Sequence, residues 1–290
     1  MDIVRMRGGL GNQMFQYAFY QALKSRGRDA KISLGFFMRH PELRPFCLTE
    51  VFPQIVLDYV SEERFVEIDA AWQEIKKDPN ALNGFVKDYK NRFFWVEDRS
   101  MHYYPEVFET QNCAFIGYWQ SEKYFKDIRS RLLDDFAFMH GEVKYETLKK
   151  ELQNHENYVS VHIRRGDYLK NMEMYGDLAA SGYYKNAMEY MRQWVRNPVF
   201  VYFSDDMQWV KNHFPDKNGI FIEAEIFEDY QSWYDMSLMS CCSNHIIANS
   251  TFSWWGAWLN RKADKIVIAP KIWLYDRKTP DIWCDGWILM

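Results

Sequence analysis

Two adjacent arginines, a glycine and an aspartate, Arg164-Arg165-Gly166-Asp167, follow directly on the clearest strand-like run of the sequence, Tyr158 to Ile163. Period-two alternation sets His162 and Arg164 on one face and turns Arg165 into the loop. Paired guanidinium groups beside a glycine suit bidentate contacts to a diphosphate. The structural alternative is an Arg–Asp ion pair bracing a turn. A second cluster, Gly8-Gly9-Leu10-Gly11-Asn12-Gln13, stands where a strand hands over to a helix, and unpaired N–H groups at that point favour an anion. Its glycines allow close backbone approach or simply make a tight turn, and their spacing is neither G-x-G-x-x-G nor a Walker A loop. In a third, Ala248 to Trp255, hydroxyl residues end an apolar strand. Ser250 or Thr251 there caps the next helix and leaves amides for a phosphate, while Trp254, Trp255 and Trp258 read as core. Ser204-Asp205-Asp206 adds a paired acid at another strand end, suited to a guanine N1–H and 2-amino group or to a helix cap.

All four clusters need strand ends to hold them. From Tyr158 onward the pattern alternates: strands at Tyr158–Ile163, Val199–Ser204, Gly219–Glu223, His245–Ala248 and Lys265–Ala269, with helices at Gly182–Val195, Asp206–His213, Asp229–Cys241 and Thr251–Asn260. Such alternation argues for a mainly parallel sheet covered on both faces, with ligands at the carboxyl ends of the strands. Near the N-terminus, Ile3–Met6 and Ala30–Leu34 read as strands around a helix that starts near Met14. Cys113–Gly117 is a further strand, Ser121–Asp135 a helix, and Gly141–Asn154 a charged helix suited to lie between two lobes. Between Gly35 and Asn112 the text is irregular, with helical pieces near Ser61 to Lys77. These readings divide the chain into 1–150 and 151–290.

The bounds are those of a globular protein: 290 residues, 48% hydrophobic and 26% charged. A formal charge of −4 without a sustained basic tract gives no footprint for nucleic acid. The five cysteines fit neither a zinc ribbon nor a disulfide framework and point to a reducing cytoplasm. No signal-peptide pattern opens the sequence, and no run of about 18 uncharged apolar residues offers a membrane span. Two aspartates separated by one residue, a common cation holder beside a diphosphate, do not occur, so arginine is expected to neutralise any such group.

GGLGNQMFQYA at 8 to 18, HIRRGDY at 162 to 168, FSDD at 203 to 206 and NSTFSWWGAWL at 249 to 259 together resemble the α-1,2-fucosyltransferase family, particularly its bacterial members, as does GYWQSEKYF at 117 to 125. Resemblance is thin over 35–110, where acceptor choice is expected to lie. It implies a GT-B fold, α/β with two facing Rossmann-like lobes and a cleft between them. The N-terminal lobe would serve the acceptor and the C-terminal lobe GDP-fucose. The implied reaction is inverting transfer of L-fucose to the 2-hydroxyl of a galactoside, with no cofactor and no metal. The enzyme would be cytoplasmic, either free or peripheral at the inner face of the membrane. Fucosyltransferases of other linkage (α-1,6 or protein O-linked) and a non-catalytic sugar-nucleotide module are the rival readings. By similarity, Arg164 and Arg165 include the diphosphate ligand, His162 and Asp205 face guanine, and Ser250, Thr251 and Phe252 line the nucleotide. Gly9, Gly11, Asn12 and Gln13 form the glycine-loop contacts, with Asn12 reaching phosphate or fucose. Asp167 is the carboxylate to test as acceptor of the incoming hydroxyl proton, its alternative being to orient an arginine.

Overall fold

The computed structural model describes residues 1–77, 84–87, 93–97 and 100–290. The chain divides into two compact units, Met1–Ala137 with Thr279–Cys284, and Phe138–Lys278 with Asp285–Met290.

In the first unit, β1 (Asp2–Arg5), α1 (Leu10–Ser25) and β2 (Ala30–Ser33) form the expected strand, glycine loop, helix and strand. Short helices α2 (Gly35–Arg39) and α3 (Leu48–Val51) and the longer α4 (Glu62–Ile75) follow. Then come β3 (Gly84–Lys87), β4 (Phe93–Val96), β5 (Cys113–Ile116) and α5 (Arg129–Asp135). The sheet runs β2-β1-β5-β4-β3, parallel except for the antiparallel β3–β4 pair. These two strands lie in the stretch read as irregular. β4 is an unbroken apolar run, Phe-Phe-Trp-Val, and shows no alternation to betray it. Residues 78–83, 88–92 and 98–99 of that stretch lie outside the described residues.

Most of α1 is buried. Phe19 stacks on Trp119 with ring centroids 4.3 Å apart and meets Phe115 and Tyr124 edge-on. The expected helix Ser121–Asp135 is instead two short 3-10 turns and α5. Tyr124 and Phe125 both turn into the aromatic core, Phe125 against Phe15.

The second unit contains α6 (Val143–Asn154), β6 (Tyr158–Ile163), α7 (Met172–Tyr175), α8 (Tyr183–Trp194), β7 (Val199–Ser204) and α9 (Met207–His213). It continues with β8 (Ile220–Phe221), α10 (Tyr234–Cys241), β9 (Asn244–Ile246), α11 (Thr251–Leu259), β10 (Val267–Ala269) and the unforeseen β11 (Ile288–Leu289). Its sheet, β11-β10-β9-β6-β7-β8, is parallel throughout. Every residue of β6 is buried, which a sheet covered on both faces requires. The division falls at 137/138 rather than 150/151, because α6 is part of this unit. Tyr145 stacks on Tyr234 at 4.1 Å, its hydroxyl meets Ser237 at 2.5 Å, and Leu152 is fully buried. The charges of α6 occupy only its outer face.

Two Rossmann-like α/β units are what the GT-B class requires. Among the described residues no helix is long and apolar enough to cross a membrane.

Candidate functional site

In the second unit the carboxyl ends of β6 and β7, neighbours in the sheet, carry the arginine loop and the paired acid. The Arg164 fork is pinned from two sides. Nε and Nη2 donate to Asp167 Oδ1 at 3.0 and 2.6 Å, and Nη1 lies 3.1 Å from Asp205 Oδ2. A guanidinium has five N–H donors, so one remains on each terminal nitrogen. Burial works against its charge, but Asp205 and Asp167 outweigh burial and raise its pKa above the ordinary arginine value. Arg165 is held differently. Its guanidinium carbon stands 3.5 Å from the centroid of the Trp209 ring, and Nε donates to Asp206 Oδ2 at 3.3 Å. Asp206 also caps α9, accepting from Trp209 N at 3.2 Å.

Asp205, expected by similarity to face guanine, holds the arginine loop. Oδ1 accepts from Arg165 N at 2.9 Å, Oδ2 faces Arg164, and a Cβ on Gly166 would fall 2.6 Å from Oδ2. Gly166 is therefore needed so that this carboxylate can reach through and fix the loop. Asp167 likewise pairs with Arg164, a contact that fits the orienting alternative.

The third cluster joins the second. Tyr168, stacked on Tyr175 at 3.9 Å, donates to Asn249 O at 3.0 Å, and the His162 ring centroid is 6.0 Å from that of Phe252. Ser250 caps α11 by accepting from Phe252 N at 3.3 Å, and Thr251 and Phe252 are half-buried in its first turn. Asn249 is a brace, donating to the carbonyls of Tyr175 and Trp273. Trp254, Trp255 and Trp258 are core, as read. Burial, then the Arg164 charge, depresses the His162 pKa to about 3, so its ring is neutral. Its Nδ1 is buried with no hydrogen-bond partner among the described residues.

The glycine loop belongs to the first unit. Gly8 takes φ +82°, and a Cβ there would fall 2.6 Å from Asn12 Nδ2. Asn12 is half-buried, and its Oδ1 accepts from Gln120 Nε2 at 2.7 Å. Gly9 is half-buried but Gly11 is buried, and Gln13 is fully buried with its amide spent. Gln13 donates to Gly8 O and Pro45 O and accepts from Cys47 N and Leu48 N, all between 2.8 and 3.1 Å. Gln13 is thus structural, the strut tying the loop to the segment before α3. Gln16 does the same between Arg7 N and Gly117 O.

Three contributors to these loops escaped sequence reasoning, Trp209 under Arg165, Gln120 beside Asn12 and Arg44, as did a buried acid elsewhere in the second unit, Asp235. Arg44 brings Nη1 to 3.4 Å from where a Gly9 Cβ would stand. For Asp235 on α10, burial raises the pKa to about 7 against a lowering bond from Tyr230, and Oδ1 has no hydrogen-bond partner among the described residues. The GYWQ segment flagged Gln120 as part of a resemblance but gave it no task, and nothing marked the other three.

Comparison with known proteins gives the family and the fold. Residues 1–290 match Glycosyl transferase family 11. An alpha-1,2-colitosyltransferase of Escherichia coli is 33% identical over 285 residues, covering 93% of this chain and 91% of that protein. A galactoside 2-alpha-L-fucosyltransferase, SEC1 of Bos taurus, is 28% identical over 265 residues, covering 88% of this chain and 63% of that protein. Among solved structures, the fucosyltransferase NodZ from Bradyrhizobium shares the fold with a TM-score of 0.51 at 14% identity, over 88% of this chain and 91% of that one.

Proposed function

The chain belongs to glycosyl transferase family 11, and on that premise we propose that it moves L-fucose from GDP-fucose to the 2-hydroxyl of a galactoside with inversion, forming an α-1,2 linkage. The observation that carries the reading is the arginine pair, its forks fixed in advance by Asp167, Asp205, Asp206 and Trp209 while N–H donors remain unspent.

Cleavage of the bond from fucose to GDP builds positive charge on the sugar ring and negative charge on the departing β-phosphate oxygen. Cations held by carboxylates need not reorganise as that charge grows, so they act most strongly in the transition state. Arginine supplies the charge that a bound cation supplies elsewhere, and transfer proceeds without a metal. Asp167 serves by orienting Arg164. In a loose transition state the acceptor proton leaves late, so no strong base is required there. His162, Ser250, Thr251 and Phe252 form the nucleotide wall, with the His162 ring neutral.

The test is release of GDP from GDP-fucose with chelator present, with and without lactose, alongside Arg165→Ala. Lactose-dependent release that survives chelator and is lost in the variant is expected, with the product linkage checked. Failure of the protein to bind GDP-fucose would sink the reading. A second donor is favoured by the 33% identity to a colitosyltransferase. Colitose is fucose without its 3-hydroxyl, and a site built to hydrogen-bond that hydroxyl rejects the deoxy sugar by about 10⁴-fold. Comparing kcat/KM for the two GDP-sugars therefore identifies the donor.

A further inference from the structure

We propose that Gln120 is a positioning residue that decides which end of the Asn12 amide faces the substrate. The inference rests on the reading of Asn12 as a substrate contact and adds how that contact is set.

Gln120 is 4% exposed, on the loop that follows β5, next to β1 in the sheet. The loop is held rigidly. The buried Glu97 carboxylate accepts from Tyr118 N at 2.5 Å and from Trp119 N at 3.2 Å, and Trp119, at φ +57°, is stacked against Phe19 of α1. From there Gln120 Nε2 donates to Asn12 Oδ1 at 2.7 Å. The other end of the same amide, Nδ2, lies over Gly8, where a Cβ would come within 2.6 Å. The Asn12 amide is thus committed at one end: its oxygen accepts from Gln120, which leaves its NH₂ lying over the glycine loop as a donor.

The orientation matters because an anionic or ether oxygen needs a donor, whereas a carbonyl in its place would repel it. Reversing both amides would also leave the Gln120 NH₂ in the position where its Oε1 is now buried without a partner, and an orphaned donor is the rarer and costlier of the two.

Gln120→Glu tests this directly. The carboxylate keeps the shape but can only accept, so it draws Asn12 Nδ2 toward itself and presents Oδ1 to the substrate. At pH 8 we expect kcat to fall roughly 10- to 100-fold, the range for a lost hydrogen bond to a charged group. Protonating the introduced carboxylate restores an O–H donor to Asn12 Oδ1, so the ratio of variant to parent activity should climb as pH falls toward about 5.5, the approach to the carboxyl range. Gln120→Met, which removes the donor without a titratable group, should lose rate with no such recovery. In an Asn12→Ala background, Gln120→Glu should add no further loss. If Asn12→Ala is slow but Gln120→Glu is unaffected, equally slow at every pH or additive, this role for Gln120 is wrong and the Asn12 contact stands. If Asn12→Ala turns over normally, the substrate contact itself is wrong and the proposal goes with it.

Discussion

The two units build their candidate clusters from the same local unit, a strand ending in a small-residue loop, and furnish it in opposite ways. In the second unit the loop is charged: Arg164 and Arg165 are each met by carboxylates, and an aromatic face lies under Arg165. In the first it is neutral: Gln13, Gln16, Asn12 and Gln120 hold the glycine loop with amide hydrogen bonds. Charged pairs near the surface keep guanidinium groups ionised and aimed, at the cost of sensitivity to pH and salt. Amides fix geometry independently of pH. On the proposed function, this difference gives leaving-group charge to one loop and orientation to the other.

The largest effect should come from the charged loop. Arg164→Ala or Arg165→Ala is expected to lower kcat by about 10²–10³, and lysine should not restore it, because a point charge cannot reproduce the fork. Single-turnover GDP release measures this; an equal loss from Asn12→Ala would break the contrast. Next, Gln13→Ala strands four backbone groups in a buried position and should cost roughly 3 kcal/mol of stability, read as the shift of the urea midpoint, while activity per folded molecule is kept.

Acid response separates buried groups of opposite sign. His162, depressed to about 3, contributes stability above pH 6.5 that is lost as pH falls toward 3. His162→Phe should therefore lose about 2 kcal/mol less than the parent between pH 6.5 and 5, and equal losses would mean that His162 is not held neutral. Asp235, raised to about 7, contributes stability that is present below the ordinary carboxyl range and lost as pH rises through 7. Asp235→Asn should melt higher than the parent at pH 8, with the gap closing toward pH 4; a constant gap would contradict the raised pKa. The smallest change is Asp167→Asn, whose amide oxygen still accepts from Arg164. About a 10-fold loss of kcat or less, with the shape of the pH profile kept, supports orientation, while loss of one limb of the profile would restore Asp167 as the base.

The sequence by itself determined the second unit closely. β6 and β7 fall on the predicted residues because alternating strands and helices leave strong periodic signals, and Ser250 and Asp206 cap the helices their side chains suit. It also picked out the arginine, glycine and hydroxyl clusters, since those residue types at strand ends are unusual without a ligand or a turn to serve.

Only tertiary structure decided what each member does. Gln13 looks like a ligand in a linear reading, but its hydrogen bonds are spent on backbone partners, three of them remote in sequence, and Asp205 is tied to Arg165 N and Arg164 across the sheet. Trp209, Gln120 and Arg44 gain their places through sheet order and loop packing, which no local window encodes. β4 was missed for the same reason: a buried apolar run has no period, and only its neighbours in the sheet make it a strand.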